Sequence, residues 1–188
     1  IDEINDSLDN DKVIISLAPG FTITQLKEKL KAGRIVRSMP NTPAMIGEGM
    51  TGVCFDENEF DENEIDVINK IFESTGKAKK VDEKLMNSVV CASGSSPAYV
   101  FMFIEALADS AVKCGLPRKD AYEFVAQTVL GSAKLMLETG KHPGELKDMV
   151  CSPGGTTIAG VAELEKNGFR KAIFEATDAC FNKCNNIK

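Results

Sequence analysis

The chain has 188 residues, 43% of them hydrophobic, which suits one large domain or two small ones with a real core and excludes a disordered protein. A net charge of −6 with a single histidine argues against a nucleic-acid surface. No uninterrupted apolar run reaches the ~18 residues of a membrane span, and no basic-then-apolar leader opens the sequence, so a soluble cytoplasmic protein with no membrane partner is expected.

In chain order, Val13 to Leu17 is a continuous apolar strand, Thr24 to Lys31 a short helix and Arg34 to Met39 a second strand. A loop rich in Pro and Gly follows. Met50 to Phe55 reads as a third strand, Glu62 to Ser74 as a helix with apolar Ile65, Ile68, Ile71 and Phe72, and Lys77 to Val81 as a last strand. The acidic run from Asp56 to Asp66 is the solvated start of that helix, where carboxylates favour the positive end of the dipole. Strands and helices taking turns predict an α/β region with a parallel or mixed sheet covered by helices.

From Glu83 onward no strand pattern appears. Helices are predicted at Leu85 to Cys91, Pro97 to Cys114, Arg118 to Glu138, Pro143 to Val150, Thr157 to Lys166 and Phe169 to Lys183. Pro97, Pro117 and Pro143 sit where first helical turns begin and an N–H is not needed. Residues 1–82 carry 10 basic and 16 acidic side chains and residues 83–188 carry 12 of each, so a boundary is placed between an α/β domain, 1–82, and an all-α domain, 83–188. The helix after Pro97 has only Glu105, Asp109 and Lys113 as charged members, four apart on one stripe. About 100 helical residues struggle to enclose such a helix alone. It is covered either by a second copy or by the other helices of a monomeric bundle.

Six cysteines, at 54, 91, 114, 151, 180 and 184, form no C-x-x-C pair, and the one histidine is distant in sequence. Reduced thiols and no metal are expected. Cys180 and Cys184 share a helix face. Cys151 has no histidine base nearby and receives no catalytic role. His142, before Pro143, reads as a residue that opens a helix.

The most informative stretch is Cys151-Ser152-Pro153-Gly154-Gly155-Thr156-Thr157, placed directly before an apolar helical pattern at Ile158, Val161 and Ala162. Glycines let a ligand approach the backbone, and the N–H groups opening a helix can donate to a carboxylate. The threonine hydroxyls serve either as helix caps or as ligand contacts.

From Leu146 to Glu165 the sequence resembles the signature of the pyrroline-5-carboxylate reductases, the last enzymes of proline biosynthesis. Met39-Pro40-Asn41-Thr42-Pro43 resembles that family's nicotinamide-side loop. Ser93-Gly94-Ser95-Ser96-Pro97-Ala98-Tyr99 resembles the start of its long dimerisation helix. The resemblance implies a partial Rossmann-like cofactor domain at 1–82 and an all-helical dimerisation and substrate-binding domain at 83–188. It implies NADPH or NADH as cofactor, an oxidoreductase acting on a CH–NH group, and a homodimer that can build a larger ring.

By the same resemblance, the substrate carboxylate is expected on Ser152, Gly155, Thr156 and Thr157, with amide donors at Gly155, Thr156 and Thr157. The Thr157 hydroxyl is the catalytic contact to the ring nitrogen. Ala18 and Pro19, off the first strand, and Met39, Pro40, Asn41, Thr42 and Pro43, off the second, are the expected cofactor contacts. No G-x-G-x-x-G follows a strand in this sequence, Gly47-Glu48-Gly49 sits in the wrong context, and Ile1 is not an initiator methionine. The chain is therefore expected to be a fragment lacking the first half of its cofactor domain and inactive by itself. Two other readings stand beside this one, a dimerisation module without activity and a 3-hydroxy acid dehydrogenase-like enzyme. The latter needs a lysine over the substrate carbonyl, and the loop from Ser152 to Thr157 has none.

Overall fold

The computed structural model describes residues 2–186 and divides into two compact units, residues 1–97 with 177–188, and residues 98–176. The boundary read from charge, after Asp82, falls inside the first of these.

The first unit opens with a four-residue helix, α1 (Asp2–Asn5), which the pattern reading does not contain. Strand β1 (Val13–Ser16) pairs in parallel with β2 (Arg34–Met39), β2 pairs antiparallel with β3 (Gly49–Cys54), and β3 pairs in parallel with β4 (Gly76–Lys80), giving the mixed order β1-β2-β3-β4. Successive residues of β2 point to opposite faces of the sheet, as the pleat requires. Ile35 packs with Leu26 and Leu30 of α2 (Ile23–Lys29), whereas Val36 packs with Val53, Phe55, Phe60, and Ile68 and Phe72 of α3 (Glu62–Glu73). Both helices begin in capping boxes, Thr22 with Gln25 and Asp61 with Glu64, in which each cap side chain accepts a helix amide and the third residue returns the bond. Only the second half of the acidic run opens α3, with Asp61 as its cap and Glu62 and Glu64 in its first turn, whereas Glu57–Glu59 forms a separate 3₁₀ turn.

Beyond β4 the backbone winds through a 3₁₀ turn (Glu83–Leu85), α4 (Met86–Val89) and a π turn (Val90–Gly94) before α5 (Ser96–Lys113). The single helix read at Leu85 to Cys91 is corrected to these three pieces. The amide of Ser95 donates to Val90 O at 2.8 Å, an i to i−5 bond that widens the turn. Each serine that follows has its own attachment: Ser95 Oγ meets Cys180 Sγ at 3.3 Å, and Ser96 Oγ donates to Ala92 O at 2.8 Å.

The second unit holds α6 (Arg118–Thr139), α7 (Pro143–Val150), α8 (Thr156–Lys166), most of α5 and the first half of α9 (Phe169–Asn185). Its own buried core is small, with Ala108, Ala121 and Val125 surrounded by Ile104, Ala111, Val112 and Leu116. Large apolar side chains stand open instead, including Phe101 at 63%, Met102 at 68%, Phe124 at 65% and Phe174 at 70% exposure. The helices of one chain leave much of α5 open. The expectation that no segment is long and apolar enough for a membrane span is also corrected. The helical run Glu83–Lys113 meets that test by length and composition alone. Between Lys84 and Glu105 it carries no charged side chain.

Candidate functional site

The turn after α7 is built by its glycines. Gly154 has φ +67°, a left-handed conformation that favours glycine, and the Gly155 amide closes back on Ser152 O at 3.0 Å. A Cβ on Gly155 would lie 2.4 Å from Ser152 Oγ and 3.1 Å from Ser152 O, so only glycine lets the chain fold this tightly. Gly155 is also the N-cap of α8, and no side chain caps that helix. Helix α8 therefore begins one residue before the predicted start.

This shift changes the donor set. With the Gly155 amide engaged, the open donors are the amides of Thr156, Thr157 and Ile158, for which no acceptor is present among the described residues. The hydroxyls of Ser152, Thr156 and Thr157 likewise have no hydrogen-bond partner among the described residues, and all three residues are exposed. The hydroxyls do not act as helix caps. Ile158 was not foreseen, because which amides stay open depends on the turn bond from Gly155 to Ser152. Gly155 contributes the missing side chain rather than a donor.

Helix α7 delivers the chain to this turn. Its N-cap is His142, whose Nδ1 accepts the Gly144 amide at 3.1 Å, with Pro143 in the first turn, so the histidine opens a helix as expected. At its far end Lys147 pairs with Asp148 at 2.6 Å, and that hydrogen bond, with the carboxylate charge, holds the lysine above its ordinary range. Cys151 caps the carboxyl end of α7 through its backbone amide, which donates to Asp148 O at 3.1 Å.

In the first unit, β1 and β2 run parallel, so the loops carrying Ala18 and Pro19 and carrying Met39 to Pro43 leave the same end of the sheet. Ligands of open α/β sheets sit off such carboxyl ends. The Ala18 amide donates to Ser16 Oγ at 3.3 Å, and Gly20, at φ +84°, turns the chain toward α2. Past Pro40, Asn41 caps a short 3₁₀ turn, Thr42–Ile46, stiffened by Pro43 and ended by Gly47 at φ +75°. Thr42 is exposed with its hydroxyl unengaged among the described residues. The Asn41 amide, by contrast, is engaged: Oδ1 accepts from Met50 N at 2.9 Å and Nδ2 donates to Ser93 Oγ at 3.1 Å. The loops carrying Ala18 and Pro19 and carrying Met39 to Pro43 both belong to the first unit, and the turn from Ser152 to Thr157 belongs to the second. Two backbone loops thus lie at one end of the sheet, one carrying Ala18 and Pro19 beside the exposed Leu17 and one stiffened by Pro40 and Pro43. No Gly-rich pyrophosphate turn is present among them.

The sequence reading did not find the cysteine cluster. Cys91, from the π turn, contacts Cys180 and Cys184, and burial followed by the hydrogen bond to Cys180 pushes the Cys91 thiol up to about 12. Burial raises Cys184 as well. Among the described residues, no group of three His, Cys, Asp or Glu side chains is placed to hold a metal ion.

A mixed sheet whose parallel strands end in two loops, joined in sequence to a helical unit with a glycine turn of open helix amides, is the layout of a Rossmann-like oxidoreductase with a helical second domain. Residues 83–187 match the family model for pyrroline-5-carboxylate reductase dimerisation. The chain is 53% identical over 184 residues to the pyrroline-5-carboxylate reductase of Escherichia coli, and it belongs to the pyrroline-5-carboxylate reductase family. That alignment takes in 97% of this chain and 68% of the bacterial protein. The Arabidopsis thaliana enzyme is 45% identical over 179 residues, 95% of this chain and 64% of the plant protein. Among solved structures, the Plasmodium falciparum pyrroline carboxylate reductase with NADP bound superposes with a TM-score of 0.88 at 36% identity, covering 97% of this chain and 73% of that one. The Streptococcus pyogenes enzyme gives 0.89 at 33% identity, covering 98% and 71%.

Proposed function

We propose that this chain carries the substrate-binding and nicotinamide-side parts of an enzyme that reduces 1-pyrroline-5-carboxylate to L-proline with NADPH or NADH, the last step of proline biosynthesis. The observation that carries this reading is the turn from Ser152 to Ile158, with three open helix amides and three free hydroxyls around a glycine that cannot be replaced. The Thr156, Thr157 and Ile158 amides receive the substrate carboxylate, helped by the Ser152 and Thr156 hydroxyls and the positive end of α8. The Thr157 hydroxyl lies against the ring nitrogen, where one group can accept from an iminium and donate to the product amine. Ala18, Pro19, Met39, Pro40, Thr42 and Pro43, on a loop whose backbone passes through Asn41, hold the nicotinamide end of the dinucleotide, which when bound supplies the hydride for the carbon of the C=N bond. A strong side-chain base is unnecessary, because the protein's task is to fix distance and angle.

The functional boundary belongs at Asp82, supported by the shift in charge balance and by the start of the family match at residue 83. The open apolar faces of α5 and α6 support a homodimer, and larger rings of dimers are the finer form of the same reading. A cytoplasmic location accompanies it. The test is to express these residues with the rest of their reading frame and measure NADPH oxidation dependent on pyrroline-5-carboxylate. Substrate-dependent oxidation is the expected result. Turnover of a 3-hydroxy or 2-keto acid in place of the imine rejects the reading.

A further inference from the structure

Two of the sequence motifs, the loop from Met39 to Pro43 and the serine-rich turn from Ser93 to Ser96, are far apart in sequence but joined within the first unit. Continuing the antiparallel register of β2 and β3 past Met39 and Gly52 brings Asn41 opposite Met50. The Asn41 side chain extends the ladder there, with Oδ1 accepting the Met50 amide at 2.9 Å. Its Nδ2 donates to Ser93 Oγ at 3.1 Å, and Ser93 Oγ donates to Met50 O at 3.3 Å. Both backbone groups of Met50 are thereby held in one closed ring of three hydrogen bonds. The π turn is what lets Ser93 reach it, and close contact continues on either side. A Cβ on Gly94 would meet Met39 Sδ at 3.6 Å, and one on Gly52 would clash with Val89 Cγ1 at 2.8 Å.

We infer that Asn41 is a positioning residue that fixes the cofactor-side loop through Ser93 and the Met50 backbone, and that its side chain is not a cofactor ligand. This rests on the reductase reading above. An amide committed to two protein partners gains little by leaving them for a ligand, because each abandoned partner would need a new bond. Thr42, exposed and unengaged, is the loop side chain left for the cofactor. Residues acting through one shared ring are coupled, so their substitutions do not multiply.

The test compares Asn41→Ala, Ser93→Ala and the double variant in the active enzyme, with hydrogen exchange at the Met50 amide as a second readout. Ser93→Ala removes only one oxygen and keeps the proposal testable if Asn41→Ala folds poorly. Each single variant should raise the KM for NADPH about fivefold with little change in kcat, and the double variant should do no worse than the weaker single. Met50 should be protected in the wild type and lose protection in Asn41→Ala. A Ser93→Ala enzyme with wild-type NADPH KM would overturn the inference. So would a double variant whose loss is the product of the two singles, or an unprotected Met50 amide in the wild type. A protein inactive on pyrroline-5-carboxylate would reject the assigned reaction, whereas Met50 exchange still reads the Asn41 ring without turnover.

Discussion

At the scale of single residues, Thr157 is the sharpest test of the site. Its hydroxyl is neither a cap nor a partner to any described residue, so Thr157→Ala removes a ligand contact while leaving the α8 amides in place. A hydrogen bond to a charged group is worth roughly 1.5 to 3 kcal/mol, so kcat/KM should fall about 10- to 150-fold, and Thr157→Ser should keep most of the activity. A folded, dimeric Thr157→Ala enzyme with wild-type kcat/KM would refute the assignment. Gly155→Val fails differently, because its Cβ runs into Ser152 Oγ at 2.4 Å and opens the turn. Its expected signature is a raised KM for pyrroline-5-carboxylate, read in steady-state kinetics. The open amides at Thr156 and Thr157 are legible in sequence, because glycines directly before a helix leave its first N–H groups unpaired. The open amide of Ile158 was not, since it follows from the single bond between Gly155 N and Ser152 O. Nor was the engagement of Asn41, which needs a partner 52 residues away.

At the scale of elements, periodicity located strands and helices well, and β2 has the predicted bounds from Arg34 to Met39. It missed the π turn because a widened helix keeps nearly the same apolar spacing; what distinguishes it is the bond from Ser95 to Val90. It likewise paired Cys180 with Cys184 along α9 but could not see Cys91 brought against them. That cluster makes the fold sensitive to alkali. An unfolded thiol ionises near pH 8.5, at roughly its reference value. The folded Cys91 keeps its proton up to about 12. Between those limits the unfolded chain releases protons that the folded one retains, so stability falls as pH rises. Urea midpoints at neutral and alkaline pH should show this decline, and Cys91→Ala should flatten it; an unchanged slope would refute the account. Helix α7 offers a second element-level test. His142→Ala removes the cap at Gly144 and should lower stability by about 1 kcal/mol, whereas His142→Asn should restore most of it, as judged by thermal unfolding.

For the whole molecule, the open apolar surface of the helical unit decides the behaviour in solution. Phe101, Met102, Phe124 and Phe174 cannot all remain in water, so the 188-residue chain should sediment as a dimer through residues after Glu83. A stable monomer at working concentration would refute this. The same chain should bind dinucleotide weakly, because the loops around Ala18 and Asn41 are present without a Gly-rich phosphate turn. Micromolar or tighter affinity for NADPH in a titration would count against that. The interleaving of the two units carries a further consequence, for the order in which the protein is made. The sheet-bearing unit is built from residues 1–97 together with 177–188, and the Asn87 side chain donates to Asn185 Oδ1 at 2.9 Å. Synthesis runs from the amino end. On the ribosome residues 1–97 emerge well before the last turns of α9, so their contacts with α9 wait for the whole intervening segment. The helical unit, encoded entirely between those two segments, leaves the exit tunnel after the first and before the second.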